Sequence, residues 1–326
     1  MTGTTTTAAP VTERARVGWG DLAWLTWRQH RWAIVVTALA VGAVAALAVG
    51  MASHADATGE AQELFGEWGY LGVSQALASA TTVLGAVIAV FWAAPLLSRE
   101  YEQRTHLVVW SQDVGPLRWL AAKVVLLGVT ATALAAVLGV ALIKLMNSMN
   151  AVVTGFAPFM PFYSDAFEAA PQVQVGYAAF GFALGLAFSA ITRRTVLSMG
   201  LTLGVYLAVR AAVAGFWRPF YQEPLRKVET YGQHTGWNPD NVTWTVRSSY
   251  SDAAGNEITF PQGCSDTRSY VDFTECMDDR GVHFVSEYHP IDRLVPFQLI
   301  EAGIFLAFAA GLLVLAFTWV RRARRA

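Results

Sequence analysis

Six apolar runs constrain this chain more than anything else in it: Trp32–Met51, Leu77–Ser98, Val124–Met146, Val173–Ile191, Val196–Trp217 and Leu299–Val320. Each approaches the roughly 20 residues that a helix needs to cross a hydrocarbon core of about 30 Å. A helix of a soluble protein seldom stays apolar on every face for so long, because one face meets water. In a bilayer each backbone N–H and C=O must find its partner within the protein, so such runs fold as helices. The expected fold class is all-α and integral to a membrane, with six transmembrane helices. A composition of 54% hydrophobic and 14% charged residues fits that reading.

The flanking charges give the orientation. Arg14, Arg16, Arg28 and Arg31 precede the first run, and Arg99, Arg104, Arg118 and Lys123 join the second to the third. Arg193 and Arg194 join the fourth to the fifth, and Arg321, Arg322, Arg324 and Arg325 follow the sixth, so these loops hold 14 of the 23 cationic residues. The connections Ala52–Ala76 and Asn147–Gln172 hold none. Cationic loops stay cytoplasmic, which predicts both termini inside. The even number of spans agrees. The first run is too long for the apolar core of a signal peptide and reads as a retained anchor.

The connection 218–298 is long, with seven cations against twelve acids, and long segments cross a membrane largely regardless of charge. It is expected outside, as a small subdomain in which Pro, Gly, Asn and Asp punctuate β-branched and aromatic runs such as Val242–Val246 and His283–Tyr288. It carries both cysteines, Cys264 and Cys276. Two thiols in one loop of an oxidising compartment favour a disulfide over a zinc site, since no histidine stands at ligand spacing. Closing so short a loop would contribute about 3 kcal/mol. The use of 20 Arg to 3 Lys, with heavy Ala, suggests a GC-rich bacterial genome, hence a bacterial plasma membrane.

Residues 1–17 read as a disordered cytoplasmic tail, rich in Thr and Ala. The stretch Trp19–Trp32 follows, with Asp21 as the expected cap and Trp24, Trp27, Arg28 and Arg31 marking an amphipathic helix in the membrane interface. It is either a belt that anchors the first span or an element that bears force. Residues 18–217 then form the transmembrane domain of spans one to five, and 299–326 the sixth span with a basic tail. Within the former, 99–123 forms a cytoplasmic elbow. Pro95 is expected to kink the second span, and a helix is expected over Glu100–Trp110, with a Glu100–Arg104 pair and a break at Gly115-Pro116. About 25 residues are too few for a catalytic domain but enough to dock on one.

The chain has no GxxxxGK[ST], HExxH or GxSxG pattern, so no nucleotide cradle or catalytic constellation is legible, and no enzymatic activity or resident cofactor is expected. Nothing points to nucleic acid. Lys144, Arg210 and Glu301 are ionisable residues within spans, all near the outer face. Lys144 reads as a cation snorkelling to the interface, and Arg210 with Glu301 as a candidate pair at the outer mouth. Gly181-x-x-x-Gly185 and Gly200-x-x-x-Gly204 are candidate close helix contacts, more readily within one subunit than between two.

At the elbow the chain resembles permease subunits of the second type of ATP-binding-cassette exporter, the drug- and polysaccharide-exporter-like group. Arg99-Glu100-Tyr101-Glu102-Gln103-Arg104-Thr105 carries the likeness on leaving the second span, with Trp110-Ser111-Gln112, then Arg118-Trp119 and Lys123 leading into the third. Trp27-Arg28-Gln29-His30-Arg31 and Tyr288-His289-Pro290 are similar to actinobacterial members. Many relatives have glycine where Arg104 stands. The resemblance implies a coupling helix that includes Arg99, Glu100, Glu102, Arg104, Thr105 and Trp110, and a connecting helix at the N-terminus. It also implies a separate ATPase dimer that binds ATP and Mg²⁺, and a second permease chain, identical or different. The alternative from another class is a membrane sensor or immunity protein whose outer loop binds a ligand.

Overall fold

The structure is a computed structural model and describes residues 17–59, 69–104, 115–153, 156–230, 243–261, 263–264 and 269–323. Among the described residues, six helices are long and apolar enough to cross a membrane: Trp19–Thr58, Gly69–Glu102, Pro116–Val152, Pro171–Thr192, Thr195–Phe220 and Ile291–Arg322. They are called the first to sixth spans below. The proposed tail 1–17 lies almost wholly outside the described residues.

The first span differs from expectation. Trp19–Trp32 is no separate interfacial helix but the opening turns of one 40-residue helix. No Pro or Gly lies between Asp21 and Trp32 to end it, so the hydrogen-bond ladder continues straight into the apolar run. Gly18 is the N-cap, and Asp21, expected to cap, sits at N3 and accepts from the Gly18 N–H at 2.9 Å. Trp24 and Trp27 are exposed, and the Arg28 guanidinium stacks 5.4 Å from the Trp24 ring.

The second span departs from regular α-helix next to Pro95, where a kink was expected. Ile88–Ala93 winds as a π-helix immediately before Pro95. Past the irregular turn, the Leu97 and Ser98 N–H groups donate to Ser189 Oγ of the fourth span at 2.9 and 2.7 Å. A buried hydroxyl thereby answers backbone donors that a bilayer could not.

The fourth span is the hub of the bundle, buried along most of its length and packed on the second, third, fifth and sixth. Its glycines permit this. A Cβ at Gly185 would stand 2.4 Å from the Ala89 carbonyl oxygen, and one at Gly181 3.0 Å from that of Gly85. Gly181-x-x-x-Gly185 is thus a contact within this chain. Gly200 and Gly204 of the fifth span have open space before them.

Between the fifth and sixth spans the chain builds a four-stranded antiparallel sheet, β1 Leu225–Thr230, β2 Thr243–Ser251, β3 Glu257–Ile258 and β4 His283–Pro290, in the order β1-β4-β2-β3. A helix, Tyr270–Asp279, closes one face over a small core of Cys264, Met277 and Val282. Cys264 and Cys276 are disulfide-bonded, with Cα atoms 5.8 Å apart. The sheet docks on the bundle through aromatic rings: Trp244 stacks on Phe162 at 5.5 Å, and His289 meets Phe297 edge-on at 4.8 Å.

Candidate functional site

Two polar assemblies sit at opposite ends of the bundle. At the arginine-rich end, the helix leaving the second span, Pro95–Glu102, stops short of the expected Glu100–Trp110 helix. Gln103 turns, and Arg104 adopts φ 55°, the left-handed conformation that L side chains resist and glycine accepts readily. Thr105 and Trp110 lie outside the described residues.

The two elbow carboxylates are committed to the bundle. Glu100 does not pair with Arg104. It accepts at 2.5 Å from Nζ of Lys123, a lysine 1% exposed at the start of the third span, whose ammonium also lies 4.2 Å from the Trp119 ring centroid. A buried ammonium requires such a partner, so it outcompetes a solvated arginine four residues away. Glu102 accepts from the Thr195 backbone N–H at 2.9 Å and from its hydroxyl at 2.6 Å, which caps the N-terminus of the fifth span. Arg193, at φ 54°, places its guanidinium 5.2 Å from the Tyr101 ring. The elbow is therefore bonded to the third and fifth spans as well as continuing the second. Arg99, Gln103 and Arg104 remain exposed.

At the sheet-bearing end lies a buried charge network. Arg210 and Glu301, expected as partners, each pair with another residue. Arg210 forms an ion pair with Glu168, on the short helix Ser164–Ala169 before the fourth span. Glu301 accepts from Arg218 Nε at 2.8 Å and Nη2 at 2.7 Å. Arg218 Nη2 also reaches Glu168 at 3.0 Å, so one guanidinium joins both carboxylates. The Tyr177 hydroxyl donates to Glu301, as does that of Tyr221 at 3.0 Å. Burial beside the Glu301 carboxylate pushes the Tyr221 phenol above its usual range. The two arginines sit over aromatic rings, with Cζ of Arg210 4.2 Å from the Tyr177 centroid and that of Arg218 4.1 Å from the Phe167 centroid.

Glu301 is fully buried and Arg218 2% exposed, yet the four charges sum to zero and each carboxylate has several donors. That balance of charge and hydrogen bonds offsets the cost of holding these groups away from water. Glu168 and Arg218 were not singled out in the sequence because each falls in a connection, where charges are ordinarily solvated. Arg218 borders the fifth apolar run directly, and that adjacency is the one available signal.

The network is strapped to the sheet. His289 Nε2 lies 2.9 Å from the Pro219 carbonyl oxygen, next to Arg218, and Arg293 donates to the Glu223 carbonyl oxygen at 2.7 Å and to His289 Nδ1 at 3.1 Å. His289 is thereby held as the neutral Nε2–H tautomer. Burial, with Arg293 adding to it against the Pro219 carbonyl, depresses its pKa below the ordinary imidazole value.

No curated protein and no solved structure matches the chain. The family model described as "ABC-2 membrane transporter related" matches residues 22–218, the first five spans with the elbow and both arginines of the network. The sheet and the sixth span lie beyond the match. With six helices long and apolar enough to cross a membrane among the described residues and more than half its length matched, the chain belongs to the ABC-2 membrane transporter related family and is a multi-pass membrane component of an ABC transporter, a family that implies a partner ATPase.

Proposed function

We propose that the chain is the permease subunit of an ATP-driven exporter in a bacterial plasma membrane. Both termini and the elbow 99–123 face the cytoplasm, and the sheet faces outward. This chain performs no chemistry. A separate ATPase dimer binds ATP and Mg²⁺, docks at the elbow, and moves two permease chains between inward- and outward-facing states. The open glycine face at Gly200 and Gly204 gives a second permease chain a place to approach closely.

One observation carries the reading: three spans converge on eight residues of helix. Glu100 grips Lys123 of the third span, Glu102 grips Thr195 of the fifth, and the helix itself continues the second. A push on the exposed face at Arg99 or Arg104 is transmitted to all three, which is what rigid-body gating of packed helices needs. At the other end, opening between the fifth and sixth spans must separate Arg218 from Glu301, so the charge network acts as the outer closure. The test is purification of the native complex in mild detergent with identification of its partner. An ATPase subunit held at a fixed ratio supports the proposal. A chain that purifies without one, and whose outer sheet instead captures a soluble ligand, replaces it with a sensor.

A further inference from the structure

Lys144 has no place in the coupling scheme, yet it heads a groove shaped for a different purpose. The groove, about 550 Å³, runs between the first and third spans and is walled by Ala45, Ala46, Val49, Val137, Val140 and Ala141. These side chains are short, so two long helices that otherwise pack closely leave an apolar channel open to the membrane. Lys144 closes one end. Its ammonium lies 3.4 Å from the Ser53 hydroxyl and has no carboxylate within ion-pair distance among the described residues.

The depth of that lysine fits a lipid. Lys144 lies about 14 Å along the helix from Ala135, the middle of the apolar run, which places its ammonium at the edge of a hydrocarbon half-thickness of about 15 Å. A cation and a hydroxyl there meet the phosphate layer, while the channel beneath them lies among acyl chains. We propose that the groove binds an anionic phospholipid at the sheet-bearing end of the bundle, its phosphate held by Lys144 and Ser53 and one acyl chain laid between the first and third spans. A second copy of this chain is the competing occupant, but an apolar partner helix would leave the ammonium desolvated and unpaired, which disfavours it.

Native mass spectrometry on the full-length protein, with the partner subunits it retains and its lipid removed, tests this directly. Dioleoylphosphatidylglycerol should be bound in preference to dioleoylphosphatidylcholine by about fivefold, the effect of one cation near a phosphate. Lys144→Ala should reduce that ratio to near one, and Lys144→Arg should keep it, with melting temperatures unchanged in both. Val140→Trp, which fills the channel, should weaken both lipids together. A wild-type protein indifferent to headgroup charge, or a preference that survives Lys144→Ala, would overturn the proposal. So would a Val140→Trp variant that binds lipid normally but dissociates a permease dimer, since the groove would then belong to a second copy.

Discussion

Arg218→Met removes the guanidinium that joins the two carboxylates of the buried network. Methionine fills much of the stem volume, so the loss is chiefly electrostatic. Arg218 makes two bonds to Glu301 and one to Glu168. Without it Glu301, fully buried, keeps among the described residues the hydroxyls of Tyr177 and Tyr221. Leaving such a charge uncompensated costs about 3–5 kcal/mol. At roughly 2 °C per kcal/mol for a chain of this size, the melting temperature should fall by about 6–10 °C. Adding Glu301→Met removes the orphaned charge and should recover much of the loss, a coupling that a double-mutant cycle in detergent would measure. A single variant within about 1 °C of wild type, or a double variant as damaged as the sum of the singles, would show that water already reaches these charges and would remove the network from the account.

Three further outcomes follow from particular contacts. Because His289 is held neutral and its folded pKa is depressed, its contribution is complete above about pH 6.5 and is lost as pH falls through its lower folded value; protection factors against hydrogen exchange, corrected for the intrinsic pH dependence of amide exchange, should fall in β4 and at residues 218–224 as pH is lowered from 7.5 to 5, and His289→Gln should flatten that dependence. Gly185→Ala forces a methyl to 2.4 Å from a backbone carbonyl and should cost about 1–3 kcal/mol by thermal melting, whereas Gly204→Ala, with open space before it, should be neutral or stabilising for the isolated chain. Cys264→Ser should raise proteolysis within 243–290 while leaving the six spans and any bound ATPase intact.

The spans were legible because a bilayer penalises any backbone that does not bond to itself, so composition alone marks them. The disulfide was legible from two cysteines spaced closely within one loop expected to lie outside. Ion-pair partners were not. Arg210 and Glu301 stood out as charges within apolar runs, but Glu168 and Arg218, which complete the circuit, sit in connections that read as solvated. The elbow carboxylates looked like a docking surface for the same reason. Only the tertiary structure places Lys123 and Thr195 against them, and reversing charge at Glu100 or Glu102 would therefore break the bundle's own ties before it reported on any partner. The unbroken first helix is a third case: Trp and Arg patterning described an interfacial helix, while the continuous ladder through Trp32 was decided by the lack of any breaker.

The measurement closest to the central claim uses the elbow residues that are free of such ties. The tagged chain with Arg99→Glu and Arg104→Glu, both exposed, should keep its melting temperature, since such surface substitutions usually change stability by less than about 0.5 kcal/mol. It should lose its co-purifying ATPase subunit, or keep it with hydrolysis no longer responsive to the permease. An ATPase retained at the wild-type ratio and activity, on a variant that is folded and inserted, would contradict the assignment of this elbow as the place where ATP-driven motion enters the membrane.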